Sequence, residues 1–263
     1  MTTKLPPGPL SRVTTGCALA VMALGLAVMA GWLLGIEPLT RVVPQFATMK
    51  FNTALGFLLA GGALLFRETP AVRLGFAGAV GLLGALTLGQ DLAGTDFGID
   101  QLVIRDAELV AGQPPGRMSP ATALCFLFSS VALGLLGRRA TERWTEALAI
   151  GVGTVGFIAL LGYAFGAQSL YSIPGLASQA LNTAAGFALV AAGVLCAVPD
   201  GIVALLVRSP DTWRSPWVGF GALTALLIVL GVDTASRRTP SVLMWIRRPM
   251  SPGPARTPRG SWR

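Results

Sequence analysis

Apolar positions along this chain come in long unbroken blocks, not in the alternating rhythm of a soluble domain. Seven such blocks fall at about 13–34, 51–66, 73–93, 120–137, 146–165, 180–198 and 217–231. A helix needs roughly 20 apolar residues to cross about 30 Å of hydrocarbon, so each block predicts a membrane helix. Glycine and other small residues crowd them, as in GFLLAGGALLF (Gly56 to Phe66) and GVGTVGF (Gly151 to Phe157). Lipid gives helices little hydrophobic reason to associate, and small residues permit close backbone contact. The pattern predicts an all-α, polytopic membrane helix bundle.

The polar punctuation repeats. MKFNTALGF (Met49 to Phe57), MSPATALCF (Met118 to Phe126) and QALNTAAGF (Gln179 to Phe187) each open an apolar block, at spacings of 69 and 61 residues. A turn of the form Gly-x-acid/amide closes the block before each one: Gly35-Ile36-Glu37, Gly94-Thr95-Asp96 and Gly166-Ala167-Gln168. The unit is a helical hairpin: out, a glycine turn, a loop, and back through an Asn/Ala-Thr-Ala start. The middle loop carries about ten extra residues and, in Asp96, Asp100, Asp106 and Glu108, most of the acidic residues on that side. A fourth turn, Gly231-Val232-Asp233, is followed only by a Pro/Arg-rich stretch whose apolar run, Ser241 to Ile246, is too short to span.

The expected organisation is therefore three hairpin repeats (about 13–66, 73–137 and 146–198) and a half repeat at 217–233. A cytoplasmic segment, 1–12, precedes this bundle (13–232), and a disordered tail, 234–263, follows it. A truncation or frame change near residue 235 would account for the missing eighth helix.

Composition narrows the function. Only 12% of residues are charged and 53% are hydrophobic, against about 25% charged in soluble domains. The first block exceeds the roughly 7–15 residue core of a signal peptide and reads as a retained helix. Nine Lys or Arg residues lie on the N-terminal side of the spans and four on the other. The positive-inside rule then puts the N-terminus in the cytoplasm of a bacterial inner (cytoplasmic) membrane. The same topology explains the net charge of +8 without nucleic acid. The tail disagrees, since seven crossings place its many arginines outside.

There is no histidine, which excludes Ser-His and Cys-His pairs, HExxH zinc sites and His-ligated haem. No phosphate-binding loop is present. No enzyme activity, metal or cofactor is expected. Cys17, Cys125 and Cys196 lie within spans, without disulfide or CxxC spacing, and read as packing residues.

Two readings fit the repeated polar residues. In the first, glycines and Asn/Thr simply cap helix ends. In the second, three helix starts and three turns converge on one side to line a ligand pocket from Asn52, Thr53, Asp96, Thr122, Gln168, Asn182 and Thr183. Asp91 stands where the other copies carry Trp32 and Tyr163; it is either a functional intramembrane carboxylate or an interfacial one. The acidic stretch DLAGTDFGIDQLVIRDAE lacks the EF-hand ligand order. Trp32, Trp144, Trp213 and Trp217 lie near span ends and read as interface anchors.

The linked motifs MKFNTALGFLLAGGALLF, LGQDLAGTDFGIDQL, PGRMSPATALCFLF, LLGYAFGAQSLYSIPG and ALNTAAGFALVAAGVLCAVPDGIVALLV carry a resemblance. Over about residues 15–232 the chain resembles the multi-pass N-terminal membrane sensor region of bacterial PAS-containing sensor histidine kinases and diguanylate cyclases. The resemblance implies a non-enzymatic sensory input module, with a cytoplasmic kinase or cyclase as partner, the lipid bilayer as its environment and room for a homo-oligomer. The family often carries His where Asn182 stands, and this chain shows no phospho-acceptor His, ATP-binding region or GGDEF motif. The alternatives are a small transporter or channel, or a structural subunit of a membrane complex. A transport site would place ionisable groups near mid-membrane, where this sequence is almost wholly apolar.

Overall fold

The computed structural model of the chain describes residues 8–42, 46–106, 114–165 and 179–208. The described residues form eight α-helices: α1 (Pro9–Leu34), α2 (Glu37–Thr40), α3 (Phe51–Leu65), α4 (Pro70–Ala93), α5 (Pro120–Leu135), α6 (Glu142–Phe165), α7 (Leu181–Ala197) and α8 (Ile202–Arg208). Proline opens α1, α4 and α5 within the first turn, where its missing N–H costs nothing. The glycine turns behave as their sequence implies. Gly35 and Gly94 are left-handed caps whose N–H groups return to Gly31 O and Gln90 O. The third and fourth turns, at Gly166 and Gly231, lie outside the described residues.

Helices α1 and α3, α4 and α5, and α6 and α7 pair as three hairpins. Each short returning helix also packs on the long helix of the next hairpin, and α7 packs on α1, so the hairpins close into a ring. The long helices form the outer wall: only 28% of each one's apolar window is buried. The short ones, α3, α5 and α7, meet at the centre. Phe57, Phe126 and Phe187, each fully buried, contact one another edge to face with centroids 4.9–5.1 Å apart. Three aromatic rings so arranged combine burial with favourable quadrupole contacts.

The long helices repeat too, more quietly. Ala18-Val21-Gly25, Ala77-Val80-Gly84 and Ala149-Val152-Gly156 recur with the same internal spacing and are all buried. A Cβ on Gly25, Gly84 or Gly156 would lie 2.6–2.7 Å from the carbonyl oxygen of Ala54, Ala123 or Ala184. Those alanines belong to the three opening motifs, so the motif's Ala and the long helix's Gly form one contact, made three times. The motif glycines have a parallel reason: Cβ atoms on Gly56 and Gly186 would be 2.5 Å from the rings of Phe126 and Phe57. The middle copy has Cys125 at that position, buried and unpaired.

Seven membrane spans are not what the helices show. Three helices are long and apolar enough to cross: α1, α4 and the 27-residue run Arg139–Phe165. A fourth candidate joins α7 and α8 across a 65° bend. Helices α3 and α5 have only 15 and 16 residues, about 23 Å at 1.5 Å per residue, against roughly 30 Å of hydrocarbon. The expected seventh span, 217–231, lies outside the described residues, as does the tail. The coarse expectation holds: this is an all-α chain with several apolar helices, of multi-pass membrane type.

Candidate ligand site at the motif end

One end of the ring carries the Gly35 and Gly94 turns and the starts of α3, α5 and α7. Sequence reading made the Asn/Thr pair a candidate helix cap; the structure reassigns it. The N-cap residues are Lys50, Ser119 and Ala180, and only Ser119 caps through its side chain, accepting from Thr122 N. Asn52 and Asn182 sit one residue inside their helices and reach sideways instead. Asn52 Nδ2 donates to Ile99 O (3.1 Å) and Asn182 Nδ2 to Leu39 O (3.5 Å). The first hairpin thus holds the loop of the second, and the third holds the loop of the first. Ala121 occupies the equivalent place in the middle copy and has no such donor.

The position three residues before each glycine turn makes a second recurrent tie. Trp32 Nε1 donates to Met49 O (2.8 Å) and Tyr163 OH to Gln179 O (2.7 Å), at matching places before the returning helices. Trp32 is therefore fixed by a hydrogen bond rather than serving only as an interface anchor. Trp144, by contrast, is 68% exposed, as an anchor should be; Trp213 and Trp217 lie outside the described residues. In the middle hairpin Asp91 does this job with charge, accepting from Arg117 Nη1 at 3.1 Å.

Arg117 is the hub of that hairpin. Its Nε donates to Asp100 Oδ2 (2.7 Å), its Nη2 to Thr95 O (3.2 Å), and Asp96 Oδ1 lies 3.7 Å away. Gln90 braces the same loop: its Nε2 donates to Asp100 Oδ2 (3.1 Å) and its Oε1 accepts from Phe97 N (2.7 Å). Gly116 aims the arginine. Its φ is +76°, and a Cβ there would sit 2.6 Å from Asp100 O, so only glycine fits. Burial opposes the Arg117 charge, but the bonds and charges of Asp100 and Asp91 outweigh it and hold the guanidinium above its ordinary pKa. Asp91 Oδ2 and Asp100 Oδ1 are buried without a hydrogen-bond partner among the described residues.

Beside this network Lys50 Nζ pairs with Asp106 Oδ2 at 2.6 Å, and Gly116 N donates to the same oxygen (3.1 Å). Asp106 also lines a cavity of about 270 Å³ with Trp32, Glu37, Thr40, Arg41 and Thr48. The Thr48 hydroxyl is buried and has no hydrogen-bond partner among the described residues.

Of the sequence-predicted residues, Asp91 and Asp96 come together on Arg117, and Asn52 reaches the same loop. Thr53, Thr122 and Thr183 are buried at equivalent places, and Thr122 Oγ1 lies 2.9 Å from Ser119 Oγ. Gln168 lies outside the described residues. Sequence reasoning missed Arg117, Gln90, Asp100, Lys50, Asp106 and Thr48 as site residues. The available signal was a basic residue at the head of two of the three opening motifs, Lys50 as the second residue of MKFNTALGF and Arg117 directly before MSPATALCF. No family model matches the chain, and searches of curated proteins and of solved structures return no match.

Proposed function

We propose that this bundle is a membrane-embedded sensory input module of a bacterial signal-transduction protein, read out by a cytoplasmic kinase or cyclase. The observation that carries the reading is the clasp at the motif end. Asn52 and Asn182 tie neighbouring hairpins together through their loops, and the 270 Å³ cavity opens among residues of those loops. A solute bound there acts on contacts between hairpins, which is how binding can bias the arrangement of a whole bundle. The central Phe57, Phe126 and Phe187 cluster favours this over a channel, because it fills the axis of the ring. The motif resemblance to sensor regions points the same way.

In this reading the long helices α1, α4 and α6 cross the membrane, and the short returning helices insert among them. The short helices need not match the hydrocarbon thickness because protein shields most of their surface, with Leu124, Phe128 and Val131 of α5 exposed. Described charges support a cytoplasmic N-terminus. Arg12, Arg67, Arg73, Arg138, Arg139, Arg143 and Arg208 lie at the end opposite the motifs, against Glu68, Glu142, Glu146 and Asp200. Acids outnumber bases at the motif end.

The test is thermal unfolding of the purified chain with a panel of amino acids, dicarboxylates and sugars. We expect one class to stabilise the wild type and to lose its effect in the Thr48→Val variant and in Asn52→Leu, Asn182→Leu. Equal stabilisation of all three proteins, or of none, rejects the motif-end site.

A further inference from the structure

We infer that the end opposite the motifs binds one anionic phospholipid in the groove between α1, α7 and α8. This rests on the membrane reading of the helices and not on the sensory one.

The groove encloses about 370 Å³, near the small end of pockets that hold small molecules, roughly 300–1,000 Å³. That is room for a headgroup and glycerol with the acyl chains outside. Its lining combines apolar residues, Leu10, Val198 and Val207, with polar and basic ones, Ser11, Arg67 and Arg208. Arg67 is built in, its Nη2 donating to Ser11 Oγ (2.7 Å) and its Nη1 to Thr15 Oγ1 (3.3 Å). Arg208 is free to turn, with a side chain 65% exposed and paired at 3.2 Å with Asp200, itself 49% exposed. Glu68 also lines the groove; its carboxylate lies 3.5 Å from Arg67 Nε, but the side chain is 82% exposed and that pairing is screened by water.

Helix α8 supplies the geometry a lipid needs. It departs from α7 at 65°, and the buried Glu146 of α6 fixes its start by accepting from Ile202 N at 2.5 Å. Ile202, Leu205 and Val207 are 47–57% exposed on it, an apolar surface next to Arg208. A short apolar segment bent away from its helix, with an arginine at its end, sets exposed apolar surface beside a cation, which favours anionic lipid at the interface. The surplus of arginines at this end supplies the complementary field.

The experiment uses the full chain in uncharged detergent. Thermal unfolding is followed while phosphatidylglycerol, phosphatidylcholine of the same acyl chains, or inorganic phosphate is titrated, and native mass spectrometry counts retained lipid. We expect one phosphatidylglycerol per chain and a saturable rise in Tm. Arg208→Gln should need about fivefold more lipid for half saturation, the size of one basic side chain at an anionic lipid surface. Val207→Trp, which fills the groove from an exposed position, should abolish the effect. The inference is overturned if phosphatidylcholine serves equally well, if phosphate alone reproduces the shift, or if both variants saturate as the wild type does.

Discussion

The first and third hairpins differ from the middle one in how they solve the same problem. Each must fasten the end of a long helix to the segment that leads back into the bundle. Trp32 and Tyr163 do so with one neutral hydrogen bond to a backbone carbonyl. The middle hairpin uses Asp91 and a guanidinium that also serves Asp100 and Asp96. The aromatic ties are neutral, and Tyr163 also packs its ring on Phe46 of the first hairpin's loop, centroids 4.6 Å apart. The ionic one gathers a longer loop around a single residue, and it concentrates in Arg117 what the other hairpins spread over backbone and ring. Where one repeat departs from its siblings this far, the departure is the first place to look for function.

The comparison can be broken most severely at Arg117. Arg117→Ala leaves the buried Asp100 and the half-buried Asp91 without a counter-charge, which should destabilise the chain by about 3–5 kcal/mol, measured by unfolding in detergent. Next in size come the glycine contacts that all three hairpins share. Gly25→Ala, Gly84→Ala and Gly156→Ala should each cost about 1–3 kcal/mol through overpacking against the facing carbonyl. The three values should agree; a clear outlier would show that the repeats are not equivalent at their packing seam.

Tyr163→Phe removes only a hydroxyl and should cost about 1 kcal/mol, whereas Trp32→Phe also loses ring volume packed against the core and should cost about 1–3 kcal/mol. A loss as large as that of Arg117→Ala would erase the distinction between neutral and ionic ties. Smallest of all, Asp96→Asn should change stability by less than about 0.5 kcal/mol, because its side chain is 67% exposed and its pairing is screened by water.

The helices were legible because apolar blocks in a nearly uncharged chain have one explanation. Their boundaries fell close to the sequence reading: α3 runs Phe51–Leu65 against an expected 51–66, and α7 runs Leu181–Ala197 against 180–198. The number of spans was overread because hydropathy records that a segment avoids water, not whether lipid or protein shields it. Helices α3 and α5 are apolar because they face other helices.

The polar pair was located correctly and misassigned. Asn at the second position of a helix resembles a cap in sequence, and only the ring shows that Asn52 and Asn182 point to neighbouring loops. The Gly25, Gly84 and Gly156 repeat was present in the sequence, yet a glycine-rich membrane helix offers many such glycines. Nothing local marks which ones a carbonyl approaches.

Closure of the ring has a consequence for biogenesis. The seam is made when Thr14 Oγ1 bonds Gly193 O (3.3 Å), across 179 residues, with Cys17 Cβ packed where a side chain on Gly193 would go. Helices entering a membrane in chain order meet their hairpin partners early, but α1 meets α7 only after two further hairpins are in place. The first helix must therefore wait with one flank in lipid. That flank includes Thr14 and Cys17, and the Thr14 hydroxyl has a partner there meanwhile, donating to Leu10 O of its own helix at 3.1 Å. The assembly behaves like a clasped bracelet, open during synthesis and fastened last at its least conspicuous link.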